Sequence, residues 1–106
     1  MIKLTVQYPS VPGSRFDFDY YQTRHLELIR NRLGESCIRL SFSRGLFSVP
    51  EGGPPAFIAS CDIFFASIEI FQEKFLPNAP EFRADNVNYT DIVPIRQLYE
   101  YLSDDF

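Results

Sequence analysis

Short runs of apolar residues, the first of them alternating with polar ones, predict four strands. The first run, Ile2 to Tyr8, sets Ile, Leu, Val and Tyr against Lys, Thr and Gln. Further extended runs predict strands at Ser36 to Phe47, Phe57 to Phe65 and Thr90 to Leu102. Pro94 confines the last strand to an edge, a bulge or a strand start, because proline cannot donate to the ladder.

Between the first two strands, apolar residues recur at helical spacing, which predicts a helix from Phe16 to Leu33. At 100° per residue, one stripe carries Phe18, Tyr21, Gln22, His25, Ile29 and Leu33, with Leu26 and Leu28 at its edges. Asp17 is suited to cap this helix, and Gly34 is suited to end it.

A second helix is predicted after the third strand, from a cap at Ser67 to about Phe75. Pro77 and Pro80 interrupt it, and a short helical piece from Pro80 to Asn86 follows.

The predicted order is therefore strand, helix, strand, strand, helix, strand. This is the split βαβ order of ferredoxin-like α+β folds, a four-stranded antiparallel sheet with two helices on one face. The other face would be bare and would expose more apolar surface than a soluble monomer tolerates, so we expect a homodimer. Lys3, Thr5 and Gln7, on the polar side of the first strand, either line an interior cavity or pair across that dimer.

The length of 106 residues fits one domain, which we assign to residues 1–102, with an acidic tail at residues 103–106. Eleven Phe and six Tyr without any Trp are a large aromatic load for so small a core. Some of these rings are therefore expected at an interface or around a pocket.

Charge and hydropathy exclude several classes of partner. The net charge is −4 and no basic run exists, which argues against nucleic-acid binding. No apolar run reaches the ~20 residues that a membrane span requires, and the first residues lack the layout of a signal peptide. We expect a cytoplasmic protein in which Cys37 and Cys61 are reduced, largely buried thiols.

His25 is the only histidine, and it lies on the inward stripe of the predicted helix. It is either a neutral core group bonded to a backbone carbonyl or the centre of a small pocket, where it would act as a proton shuttle. Tyr8 and Tyr21 are the next candidates, since a phenol can donate to a carbonyl or hold an enolate oxygen. Tyr20 is predicted to point away from His25, at the surface or an interface.

No cofactor or metal site is predicted. No glycine-rich turn suits a flavin or nicotinamide, and no ligand spacing supports a metal held by His25 with Asp62 or Asp85. Asp85, Asn88 and Asp91 form either a polar patch near the pocket or, more simply, turn residues that bond to nearby backbone.

Three segments carry a resemblance to a known family. Val6 to Pro9 ends a strand in Tyr-Pro, Phe16 to Leu26 contains Tyr-Tyr and then His, and Ala84 to Pro94 reads ADNVNYTDIVP. In these segments the chain resembles the EthD-like proteins of the dimeric α/β-barrel superfamily. It departs from them at Glu27 and Val87, where relatives commonly have proline.

The resemblance implies the fold and a dimer more than a reaction, because one fold hosts many functions. Our leading hypothesis is a cofactor-independent isomerase, cyclase or dehydratase of a catabolic or secondary-metabolite pathway. In it, His25 is the general acid/base and Tyr8 and Tyr21 orient a small apolar, aromatic or carbonyl-containing ligand. The alternatives are a non-catalytic ligand-binding or accessory protein of an oxidative degradation system, and a haem-dependent monooxygenase.

Overall fold

A four-stranded antiparallel sheet organises the chain in the computed structural model, which describes residues 1–105. Its strands are β1 (Ile2–Pro9), β2 (Arg39–Arg44), β3 (Phe57–Phe65) and β4 (Ile95–Glu100), in the spatial order β2-β3-β1-β4. Every neighbouring pair is antiparallel. This topology confirms the predicted ferredoxin-like α+β fold, whereas the dimer stays a prediction.

The first helix, α1, is one continuous run of residues 18–33. It consists of Phe18–Tyr20, a π-helical turn at Tyr21–His25 and an α-helical part at Leu26–Leu33. The Asp17 carboxylate accepts a hydrogen bond from the backbone N–H of Tyr20 at 3.0 Å and caps the first turn. The helix starts after the predicted Phe16, because Phe16 is held in a bridge to Thr90.

The π turn corrects one detail of the predicted stripe. The N–H of Leu26 bonds to the carbonyl of Tyr21, five residues back, so this turn holds one residue more than an α-helical turn. Leu26, predicted at the edge, is therefore buried in the core. Gln22, predicted on the inward stripe, is exposed.

The second helix, α2, covers residues 68–84 without a break. It runs through Ile68–Ile70, a π turn at Phe71–Phe75, a 3-10 turn at Leu76–Asn78 and an α-helical part at Ala79–Ala84. The predicted interruption at Pro77 and Pro80 is confirmed in part. A 3-10 turn holds Pro77, and a new α-helical part with Pro80 in its first turn begins at Ala79, although no non-helical residue separates them. A 3-10 turn, Asp85–Asn88, follows directly.

The core fills the space between the sheet and the two helices. The most completely buried large side chains of this core are Tyr8, Tyr21, Tyr89, Phe65, Ile63 and Cys61. Tyrosines therefore supply part of the packing here, and each of them brings a hydroxyl that needs a partner.

The helix-free face of the sheet is not the apolar surface that the element order led us to expect. Thr5 pairs with Asp62 across β1 and β3, and its hydroxyl donates to the Asp62 carboxylate at 2.6 Å. In the next row, Lys3 pairs with Phe64, whose ring lies under the Arg39 guanidinium at 4.2 Å. The face is largely polar because the polar alternation of β1 is matched by polar residues of β3.

Two strands are shorter than predicted. The run Ser36 to Phe47 contributes only Arg39–Arg44, since residues 34–36 form a 3-10 turn. The run Thr90 to Leu102 contributes only Ile95–Glu100, which begins directly after Pro94. Residues 101–105 hold neither helix nor strand, and the last residue of the predicted tail, residue 106, lies outside the described residues. Within residues 1–105 no helix is both long and apolar enough to cross a membrane.

Candidate functional site

His25 is the last residue of the π turn in α1, and it is only 4% exposed. The ring of Tyr21, one turn earlier, stacks on it with 5.4 Å between the centroids and 19° between the planes. The inward orientation predicted from helical spacing is therefore confirmed. Both ring nitrogens meet side chains that come from the 3-10 turn after α2 and from the residue that follows this turn.

Asp85 holds one side of the imidazole. Its Oδ2 lies 2.9 Å from Nδ1 of His25, while its Oδ1 accepts from the Tyr20 hydroxyl at 2.7 Å and from Nδ2 of Asn88 at 2.9 Å. Partial burial acts to raise the pKa of Asp85, but the hydrogen bonds from Asn88, Tyr20 and His25 together outweigh it and lower that pKa. Asp85 is thus an ionised acceptor in contact with His25.

These contacts correct two predictions from the sequence. Asp85 does start a 3-10 turn, but the simpler interpretation as a turn residue alone is incomplete. Tyr20 was predicted to point away from His25. Its ring instead lies parallel to that of Tyr89, at 6.3 Å and 18°, and its hydroxyl reaches the same carboxylate that orients His25.

Tyr89 faces the other nitrogen of the ring. Its hydroxyl oxygen lies 3.3 Å from Nε2 of His25 and 2.6 Å from the hydroxyl of Tyr8, and it donates to Oδ1 of Asn86 at 2.7 Å. Tyr89 has no exposed surface. Tyr8, a predicted site residue, is therefore connected to His25 through Tyr89.

Proton positions follow from this set of partners. An ionised carboxylate only accepts, so Nδ1 of His25 carries a hydrogen that it donates to Asp85. The single hydroxyl hydrogen of Tyr89 goes to Asn86, so it does not occupy the Nε2 lone pair. The neutral imidazole therefore presents an available lone pair at Nε2, the arrangement of a base oriented by a carboxylate.

Burial dominates the titration of these groups. It lowers the pKa of His25, although the hydrogen bond and charge of Asp85 act in the opposite direction. His25 is therefore neutral near pH 7. Burial likewise raises the pKa of Tyr8, Tyr21 and Tyr89, so all three hydroxyls stay protonated.

A cavity of about 300 Å³ opens beside this cluster, between α1, α2 and the edge strand β4. The three predicted site residues, His25, Tyr8 and Tyr21, all line it. Most of its wall is apolar and comes from Leu4, Val6, Ile29, Cys61, Ile63, Phe71, Phe75, Leu76, Ala79, Phe82 and Leu98. Its other polar residues are Arg83, Asn86, Arg96 and Gln97. Apolar walls with few polar groups are typical of small-molecule sites.

Comparison with solved structures decides the family. The fold superimposes on the crystal structure of an EthD-like protein from Ralstonia eutropha JMP134 with a TM-score of 0.90 and 38% sequence identity, covering 97% of this chain and 93% of that one. The chain belongs to the EthD-like family. No protein-family model matches it, and no curated protein is a significant match.

More distant structures share the fold. An ethyl tert-butyl ether D (EthD) family protein from Bacillus halodurans has 20% identity and a TM-score of 0.75, covering 96% of this chain and 99% of its own. HapK from Hahella chejuensis has 12% identity and a TM-score of 0.57, covering 98% of this chain and 96% of its own. At these identities the likeness extends to the fold alone.

The described residues give this EthD-like site neither a reactive thiol nor a metal-binding group. Burial raises the pKa of Cys61 to about 12, which makes it an unreactive thiol in the cavity wall, while Cys37 is half-buried. Asp62, considered with His25 as a ligand, bonds Thr5 on the opposite face of the sheet. Among the described residues no three His, Cys, Asp or Glu side chains form a metal-binding group.

Sequence reasoning missed Tyr89 as a site residue. It lies in the Asn-Tyr-Thr part of the segment that carries the EthD-like resemblance, so a signal was present. The pattern of polar and apolar residues gave no such signal, because Tyr89 is 64 residues from His25 along the chain.

Proposed function

We propose that this EthD-like protein catalyses a proton transfer without a cofactor, as an isomerase, cyclase or dehydratase of a catabolic or secondary-metabolite pathway. Its substrate would be a carbonyl-containing or aromatic compound bound in the cavity beside His25. The observation that carries the proposal is a neutral histidine, oriented by Asp85, that lines an apolar cavity.

The chemistry begins at a carbon next to a carbonyl group. Nε2 of His25 takes the proton from that carbon, and the electron pair of the C–H bond moves to the carbonyl oxygen to form an enolate. Asp85 stabilises the imidazolium that results. Return of the proton to a different carbon is an isomerisation, attack of the enolate carbon on a second carbonyl is a cyclisation, and departure of a protonated hydroxyl is a dehydration.

Tyr8 and Tyr21 orient the ligand in this proposal. Each is only 1% exposed, and each lines the cavity, so they act as a rigid wall rather than as mobile donors. Their rings lie edge to face, with centroids 5.7 Å apart and planes at 81°.

A second candidate function is non-catalytic, that of a ligand-binding or accessory protein of an oxidative degradation system. The full set of partners around His25 favours it, since Asp85 contacts Nδ1 and Tyr89 lies near Nε2. In that case the network serves only to satisfy buried polar groups. The two candidates differ in whether the bound compound exchanges protons with His25.

The haem hypothesis fits these residues less well. Histidine binds haem iron through a ring nitrogen that has open space in front of it. Here Nδ1 is engaged by Asp85, which leaves only Nε2 for a ligand, 3.3 Å from the Tyr89 oxygen.

The test is a proton-exchange assay that needs no knowledge of the natural substrate. The probe is 2-tetralone, an aromatic ketone with acidic hydrogens beside its carbonyl group, incubated with the protein in D₂O near neutral pH. We expect the protein to accelerate deuterium incorporation, measured by NMR, and we expect His25→Gln to remove about 100-fold of that acceleration.

Two measurements interpret the result. Because the chain has one histidine, its imidazole gives one NMR signal, which should titrate and should shift when 2-tetralone is added. The exposed variant Gln22→Ala, on the same turn of α1, should exchange at the wild-type rate. A shift without exchange would contradict catalysis and support the accessory function, whereas a Soret band in the purified protein would support haem binding.

A further inference from the structure

Both charged side chains that line the cavity, Arg83 and Arg96, are cations. Arg83 comes from the end of α2 and Arg96 comes from β4, so two separate elements bring positive charge to one cavity. No Asp or Glu lines it, although the chain as a whole has a net charge of −4. Asp85 is near but engaged, since its oxygens accept from His25, Tyr20 and Asn88.

The sheet register directs Arg96 toward the cavity. It pairs with Val6 of β1, and Val6 pairs with Cys61 of β3, so the three side chains share the face of the sheet that the helices cover. Arg96 lines the cavity from β4, the exposed edge strand of the sheet. Its charge also acts on the site, because it contributes to lowering the pKa of both His25 and Tyr8.

Neither arginine has an acidic partner within residues 1–105. The two ion pairs of that part of the chain are His25 with Asp85 and Arg32 with Glu81. Arg83 and Arg96 also make no side-chain hydrogen bond there, in contrast to Arg32, which holds Glu81 through two. The planar donors of both cavity arginines are thus free for a ligand.

Building on the proposed function, we propose that the ligand of this cavity is an organic acid: an aromatic or cyclic compound with a carboxylate that Arg96 binds at the open side, assisted by Arg83. The apolar wall takes the ring system, and a guanidinium matches a carboxylate through two parallel hydrogen bonds. Held at its acidic end by Arg96, such a compound would extend inward toward Nε2 of His25.

The test compares two probes of nearly the same shape, 1-naphthoate, which is an anion at neutral pH, and 1-naphthamide, which is neutral. We expect naphthoate to bind about tenfold more tightly, measured by calorimetry or by the shift of the His25 signal. Arg96→Gln should remove that preference while leaving naphthamide binding within about twofold. Arg30→Gln, an exposed arginine of α1 outside the cavity, is the charge-matched control and should keep the preference.

The outcomes separate this inference from the proposed function. Equal binding of both probes with a shifted His25 signal would overturn the acid preference and leave the small-molecule site standing. A naphthoate preference that survives Arg96→Gln would also overturn it, because the anion would then bind elsewhere. Failure of both naphthalene probes and of 2-tetralone to bind would contradict the small-molecule site as a whole.

Discussion

At the residue scale, two opposing effects set the pKa of His25: burial of its ring lowers that pKa, and the Asp85 carboxylate raises it. Burial disfavours the charged form of His25, while the Asp85 carboxylate favours it. Their balance leaves a neutral imidazole in which the second nitrogen holds the lone pair. Removing the Asp85 charge should therefore change the pKa of His25 in a defined direction.

We expect Asp85→Asn to lower the pKa of His25 further, because the charge and hydrogen bond that support the imidazolium are lost while burial remains. The measurement is the pH titration of the imidazole signal by NMR. Asp91→Asn removes the same charge from an exposed residue that bonds to the backbone N–H of Arg15, and it should leave the titration unchanged. An increased pKa in Asp85→Asn would contradict the assignment.

We expect Tyr89→Phe to destabilise the fold by about 1–3 kcal/mol, because it leaves the Tyr8 hydroxyl and the Asn86 oxygen without their partner. Urea unfolding at pH 7 measures this free energy. Tyr99→Phe in β4 is the matched control, since its ring is 38% exposed and its hydroxyl has no hydrogen bond within the described residues. Equal stability of the two variants would show that the hydroxyl network contributes nothing.

At the element scale, α1 sets where His25 points. Its start is fixed by the Asp17 cap, and its middle is widened by the π turn at Tyr21–His25. Without the extra residue in that turn, Leu26 would rotate away from the core position that it now fills. The helix and its cap therefore contribute to the orientation of the imidazole as well as to stability.

We expect Asp17→Ala to lower the free energy of unfolding by about 1 kcal/mol, because the N–H of Tyr20 loses its capping carboxylate. Urea unfolding is again the measurement. Glu27→Ala, on the exposed side of the same helix, should change stability by much less. If both variants lost the same amount, general helix charge rather than capping would explain the effect.

At the scale of the whole molecule, stability should depend on the protonation of one residue between pH 7 and 5.5. The folded pKa of His25 lies below its ordinary value of 6.5, so the unfolded chain takes up a proton first as the pH falls. Its contribution to stability is fully present above about pH 6.5 and decreases on acidification toward the folded pKa.

Chemical unfolding at pH 7.0 and 5.5 measures this dependence. We expect the wild type to be less stable at the lower pH, and we expect His25→Gln to show a smaller change, because the only histidine is gone. A wild type that gained stability on acidification would mean that the pKa of His25 is raised in the fold.

The homodimer remains a prediction, but its physical basis changes. The helix-free face is mostly polar, so sheet-to-sheet association would rest on hydrogen bonds and packing rather than on covering an apolar surface. Sedimentation velocity should show a dimer, and Ser41→Arg, in the row of Thr5 and Asp62, should dissociate it. Asn31→Arg, on the exposed side of α1, should not. A wild-type monomer at all concentrations would contradict the prediction.

The sequence by itself determined the order and type of the elements and the inward direction of His25. Alternation over Ile2 to Tyr8 and helical spacing through Tyr21, His25 and Ile29 are local patterns, and burial of one face makes them decisive. The same patterns placed Tyr8 and Tyr21 beside the cavity, because both belong to faces that must meet in the core.

Only the tertiary structure decided which groups meet the imidazole. Asp85 and Tyr89 come from residues 60 and 64 positions away, and no periodicity links such distant segments. The polar character of the helix-free face also followed from strand register, which pairs Thr5 with Asp62, and not from element order. Local patterns fix which way a side chain points, whereas chain packing fixes what it touches, and the chemistry of His25 depends on the second.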